Sequence, residues 1–154
     1  MAGEDARMST IPPRINLVTL GVGDLARSLA FYEALGWRAS SASVPGVVAF
    51  VRTAGPVLGL FPYGELQADA GLQRAPRPDG FGGITLAVNV ETEGAVAGCL
   101  AAAVAAGGTL LKAATRAEWG GVTGYFADPD GYPWEVAYNP GFPFDDRGLL
   151  ALPE

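Results

Sequence analysis

The chain has 154 residues, 49% hydrophobic and 17% charged, with a net charge of −6 and no histidine. That length and apolar content suit one compact domain with a continuous core and exclude a disordered chain. The acidic balance, with no Lys/Arg cluster, argues against nucleic acid or an anionic membrane as partner.

Residues 1–13 read as an N-terminal extension, with Met8 an alternative start, and lack the apolar stretch of a signal peptide. Ile15 to Val22 is apolar and β-branched and predicts a strand. Asp24 is placed to cap a helix whose buried stripe is Leu25, Leu29, Tyr32 and Leu35, and Gly36 stops it. Short strands follow at Trp37 to Ala42, Val47 to Arg52 and Val57 to Phe61, separated by Pro45-Gly46 and Gly55-Pro56. Residues 63–82 are polar and proline-containing and read as a linker.

The plan then repeats. Ile84 to Val90 predicts a strand, Thr92 caps a helix running to about Ala106, and Gly107-Gly108 ends it. Strands follow at Thr109 to Ala114, Val122 to Ala127 and Pro133 to Tyr138. Residues 14–62 and 83–140 are therefore two β-α-β-β-β modules, offset by about 66 residues when Leu20 is set against Leu86. Residues 141–154 form a tail that lies across the surface or reaches a neighbouring subunit. The fold class is α+β, with the modules side by side as a cupped, eight-stranded mixed sheet around a groove.

The run Ile15-Asn-Leu-Val-Thr-Leu-Gly-Val-Gly-Asp-Leu-Ala-Arg-Ser-Leu-Ala-Phe-Tyr-Glu-Ala-Leu-Gly-Trp37 resembles the opening of the vicinal oxygen chelate superfamily. That group includes glyoxalase I, extradiol dioxygenases and bleomycin-resistance proteins. The closing Phe126-Ala-Asp-Pro-Asp-Gly-Tyr-Pro-Trp-Glu-Val136 resembles it too. The resemblance implies a homodimer and, in metal-dependent members, inward-facing ligands on the first and fourth strand of each module. Carried onto this chain, those positions fall at Leu17, Gly59, Gly83 and Glu135. Only Glu135 carries a ligand-capable side chain. Zinc takes three or four N, S or O donors, so no metal site and no cofactor are expected.

Glu135 is the candidate catalytic residue, as a general acid or base, and equally a candidate anchor for a ligand or the partner of a nearby hydroxyl such as Thr19 or Thr85. Thr19 and Thr85 hold similar places in the two first strands and join it as candidate ligand contacts, as do Phe61, Trp119 and Tyr125. Trp119 precedes Gly120-Gly121 at a loop edge, where an indole can stack on a planar ligand. Asp128 and Asp130 belong to Asp-Pro-Asp-Gly and read as a hairpin turn. Gly21-Val22-Gly23-Asp24 mimics a dinucleotide fingerprint, but Asp24 would set negative charge against a pyrophosphate. Cys99, the single cysteine, reads as a small buried hydrophobe, and its solitude fits the cytoplasm.

The leading expectation is a metal-free protein that binds a small organic molecule, planar or cationic, in the groove. The alternative is a lyase, isomerase or dioxygenase-like enzyme of the superfamily that works through Glu135.

Overall fold

The structure is a computed structural model that describes residues 10–154. The extension proposed for residues 1–13 lies mostly outside the described residues. The first module comprises β1 (Leu17–Val22), α1 (Leu25–Ala34), β2 (Arg38–Ala39), β3 (Ala49–Arg52) and β4 (Val57–Pro62). After α2 (Tyr63–Asp69), the second comprises β5 (Leu86–Asn89), α3 (Glu93–Ala105), β6 (Thr109–Arg116), β7 (Val122–Ala127) and β8 (Pro133–Tyr138). The strands form two four-stranded sheets of the same order, β1-β4-β3-β2 and β5-β8-β7-β6. In each, the first strand runs parallel to the fourth and the remaining pairs are antiparallel.

Local chemistry starts both long helices as expected. The Asp24 carboxylate accepts from the Arg27 amide at 3.0 Å, and the Thr92 hydroxyl from the Ala95 amide at 3.3 Å. Each cap satisfies one of the amides that a helix start leaves unpaired. The two capping residues are 68 positions apart, and that is the true register of the repeat. An alignment on Leu20 and Leu86 slips by two residues, because apolar alternation looks the same after a shift of two.

The stretch expected to be only a linker holds a third helix, α2. Tyr63 and Leu66 from it fold over Gly21, where a β-carbon would come within 2.6 Å of the Tyr63 ring. The proline-rich run that suggested a loop begins only after the helix has ended. The tail folds back on its own chain. Asp145 accepts from the Arg147 and Leu149 amides at 2.8 and 3.0 Å, Phe144 bridges Leu150, and Leu149 lies against Gly55.

Each sheet has one covered face. Leu20, Val22, Val51, Leu58 and Leu60 of the first sheet pack with Phe31 and Tyr32 of α1. Val122, Phe126, Trp134 and Val136 of the second pack with Val96, Leu100 and Ala103 of α3. Burying one such side chain contributes about 1.5–3 kcal/mol. The α1 aromatics also join the modules: the Phe31 ring sits 6.1 Å from Phe126, and Tyr32 sits 6.0 Å from Trp134. The helix-bearing sides therefore face one another, and the opposite face of each sheet points outward.

Asp-Pro-Asp-Gly makes the expected turn, with the Gly131 amide donating to the Asp128 carbonyl at 2.9 Å. It also locks the modules together. Asp128 is 3% exposed and accepts from the Tyr32 hydroxyl at 2.7 Å. Asp130 accepts from the Gly23 amide at 2.8 Å, the Ser28 hydroxyl at 2.5 Å and the Arg27 guanidinium at 3.2 Å. The Tyr132 hydroxyl donates to the Gly21 carbonyl at 2.7 Å. Arg77, from the connection, donates to the Asp130 carbonyl and lies 3.9 Å over the Tyr132 ring.

Candidate functional site

The outward face of the second sheet carries the chemistry. Along β8, Trp134 and Val136 point to the helices, so Glu135 between them points away. Strand register then sets a cross-strand row of Ala87, Glu135, Tyr125 and Lys112. The Tyr125 hydroxyl donates to Glu135 Oε2 at 2.8 Å. This hydrogen bond, then burial and the carboxylate's charge, hold the Tyr125 phenol above its ordinary range. Glu135→Gln removes the charge and the charged acceptor, so Tyr125 is expected to ionise at lower pH in that variant. Tyrosine-resolved NMR titration checks this, and an unchanged Tyr125 midpoint contradicts it.

Tyr125, rather than Thr19 or Thr85, is thus the hydroxyl that engages Glu135. Thr85 is exposed immediately before β5, two residues from Ala87. Lys112, exposed at the end of the row, escaped the sequence reading. Irregular pairing between β6 and β7 shifts the register on both sides of Lys112, so simple alternation along β6 does not place it.

The outward face of the first sheet holds Thr19 and Phe61. Thr19 lies opposite Gly59, which lies opposite Phe50 on its other side. Phe61 is two residues beyond Gly59 and is half-buried. Because the helix-bearing sides face inward, one chain turns Thr19 and Phe61 away from Tyr125 and Glu135. The groove expected between the sheets is not lined by all of them within one chain. A cavity of about 400 Å³ between the modules is lined instead by Val18, Trp37, Leu58, Leu86, Val88 and Trp134, from the inward sides, with the tail at its mouth.

Trp119 is 56% exposed at the tip of the β6–β7 hairpin, with its ring folded over Gly121, where a β-carbon would lie 1.8 Å from the indole. Gly121 precedes Tyr125 by four residues, so the indole lies roughly 13 Å along the strand from the Tyr125–Glu135 pair.

The family's metal centre can be tested on these donors. Leu17 stands seven residues before the Asp24 cap, and the residue seven before the Thr92 cap is Thr85, not Gly83. Thr19 and Ala87, each five residues before its cap, pair with Gly59 and Glu135, which makes those two the equivalent fourth-strand positions. The set is therefore Leu17, Gly59, Thr85 and Glu135: one carboxylate and one weak hydroxyl donor. A β-carbon at Gly59 would sit 2.9 Å from Thr19 Oγ1, so the threonine occupies the space of the missing side chain. Among the described residues no three His, Cys, Asp or Glu side chains gather in one place. These residues do not fit the three- or four-donor shell that such a metal takes.

Comparisons with known proteins agree with the architecture. The profile of the Glyoxalase/Bleomycin resistance protein/Dioxygenase superfamily matches residues 14–136. A glyoxalase-related enzyme from Fulvimarina pelagi is 37% identical, with a TM-score of 0.81, over 92% of this chain and 99% of its own. A glyoxalase/bleomycin resistance protein/dioxygenase family enzyme from Burkholderia phytofirmans PsJN shares the fold at 21% identity and a TM-score of 0.72, over 80% of this chain and 96% of its own. A lactoylglutathione lyase from Agrobacterium tumefaciens does so at 24% and 0.62, over 84% and 96%. No curated protein matches the sequence. A matched profile over most of the chain, a duplicated β-α-β-β-β plan and a 37% identical structural relative place this chain in the glyoxalase/bleomycin resistance protein/dioxygenase superfamily.

Proposed function

We propose that this protein binds a small organic molecule on its outward sheet faces, without the family's metal ion, and that a second copy closes the site. The observation that carries the reading is the Tyr125–Glu135 pair at 2.8 Å, set among positions that have lost every other strong donor. A carboxylate and a phenol joined in this way recognise a cationic or hydrogen-bonding group, and Trp119 offers a flat surface for a planar one.

The homodimer follows from the open faces. Thr19 and Phe61 of one copy meet Tyr125 and Glu135 of another only if the outward faces of two chains come together. Analytical ultracentrifugation is expected to give a dimer mass, and a monomer at all concentrations contradicts it. Among the described residues no helix is long and apolar enough to cross a membrane.

The test of binding is a thermal-shift panel of planar and cationic antibiotics against wild type and Glu135→Gln. At ligand concentrations about a hundredfold above Kd, stabilisation is about 2.7 kcal/mol, or a rise of several degrees. The expected result is a shift in wild type that shrinks in the variant. No shift with any compound overturns the reading.

A second reading is enzymatic, favoured because the 37% identical relative is described as an enzyme. Glu135 would then move a proton to or from the substrate, with Tyr125 holding the carboxylate in place. Elemental analysis of protein purified without chelator separates the two readings from a metal-dependent one: a stoichiometric divalent ion would overturn the metal-free proposal.

A further inference from the structure

Arg38 and Arg52 stand directly opposite each other on β2 and β3. Like charges at such positions are destabilising, because their β-carbons are only about 5 Å apart. No ion pair in the described part of the chain uses them: the pairs there use Arg27, Arg74, Arg116 and Arg147. Both side chains are exposed, in a molecule whose net charge is −6. They line a shallow cavity of about 460 Å³ together with Gly36, Trp37, Thr53 and Ala54.

Their placement ties them to the proposed site. Along β3, Ala49 and Val51 are buried against the helix side, so Phe50 and Arg52 point outward. Phe50 lies opposite Gly59, and Gly59 opposite Thr19. By alternation Arg52 therefore shares the open face of Thr19, two strands across and two residues along, about 12 Å away by sheet geometry, with Arg38 one strand further out at the sheet edge, about 16 Å away. Long, flexible arginine side chains on opposed positions of neighbouring strands can both reach a single oxyanion, and each can donate two N–H groups to it.

We infer that Arg38 and Arg52 form a subsite for an oxyanion, a phosphate or a carboxylate, carried by the molecule that the open face binds. The inference rests on the ligand-binding reading and adds a charged end to it. A ligand with an anionic group on the arginines and a cationic or donor group toward Glu135 of a second copy would use both faces.

Isothermal titration of the full chain at low ionic strength tests this with phenyl phosphate, benzoate and phenol. Phenyl phosphate or benzoate is expected to bind saturably, and phenol not. The two anions also distinguish a phosphate-selective subsite from a carboxylate-selective one. In Arg38→Gln/Arg52→Gln, anion affinity falls about tenfold or more, with circular dichroism confirming the fold. Arg74→Gln/Arg116→Gln makes the same change in net charge at exposed pairs elsewhere and is expected to alter affinity less than about twofold. Equal weakening in both double variants, no weakening in the first, or no saturable anion binding by wild type overturns the inference. Anion binding that depends on Arg38 and Arg52 while the antibiotic panel gives no shift keeps the subsite and removes only the wider reading.

Discussion

Asp128→Ala is expected to cost about 3–5 kcal/mol, since each buried donor left without its acceptor costs about 1–3 kcal/mol and three donors converge on this carboxylate, and so to lower the melting temperature by roughly 10 °C in a chain of this size. The reason lies in how many groups converge on one carboxylate. Oδ2 takes the Tyr32 hydroxyl at 2.7 Å, and Oδ1 takes the Asp130 and Tyr132 amides at 2.9 Å each. Tyr32 is fully buried and also accepts from the Trp134 indole at 3.2 Å. Removing the carboxylate leaves the buried Tyr32 phenol and two part-buried amides without their acceptor. Thermal unfolding followed by circular dichroism measures the loss, and a drop below about 3 °C would show that the lock contributes little.

The same residue sets a pH dependence. Burial holds the Asp128 carboxyl above the ordinary aspartate range, against the lowering effect of the Tyr32 hydroxyl and the Tyr132 amide. A raised carboxyl binds its proton more tightly in the folded than in the unfolded chain. Its contribution to stability therefore falls as pH rises from the ordinary value through the folded one, and is level above. Asp128→Asn has no such titration. The stability gap between wild type and that variant is thus expected to narrow as pH rises through the range just above the ordinary aspartate value of about 4. A gap that widens over this range would contradict the assignment.

Gly98→Ala and Gly108→Ala are expected to act in opposite directions. Gly98 lies inside α3, and a β-carbon there meets nothing within 4 Å. Alanine in a helix interior is about 1 kcal/mol better than glycine, so this variant should melt about 2–4 °C higher. At Gly108 an added β-carbon would come 2.8 Å from the Ala127 carbonyl oxygen, 2.9 Å from that of Ala103 and 3.1 Å from the Phe31 ring. Two of those neighbours are backbone and cannot rotate aside, and the third is the α1 aromatic that joins the modules. Overpacking of this kind costs about 1–3 kcal/mol, toward the upper end here, and the melting temperature should fall by several degrees. Calorimetry of the two variants beside wild type settles the signs. A stabilised Gly108→Ala would mean that the packing around the end of α3 is looser than described.

The repeated strand–helix–strands plan was legible in the sequence because it rests on local signals: Asp24 and Thr92 as caps, Gly36 and Gly107 as stops, and β-branched runs between turns. So was the depletion of donors, since composition alone rules out histidine and the family resemblance puts Leu17 and Gly59 where ligands would stand. The exact register of the second module was not, because the apolar alternation of a strand is unchanged by a slip of two residues. The α2 helix was hidden by its short length and the prolines after it.

What the residues determined by themselves was the duplicated module, its family and the lone carboxylate of Glu135. What only the tertiary structure decided was which groups meet: Tyr125 with Glu135 across two strands, Asp128 with Tyr32 across two modules, and Arg38 with Arg52 in one cross-strand pair. Each of these depends on strand register or on the packing of distant segments. Side-chain periodicity fixes a face, but it does not fix the neighbour on that face.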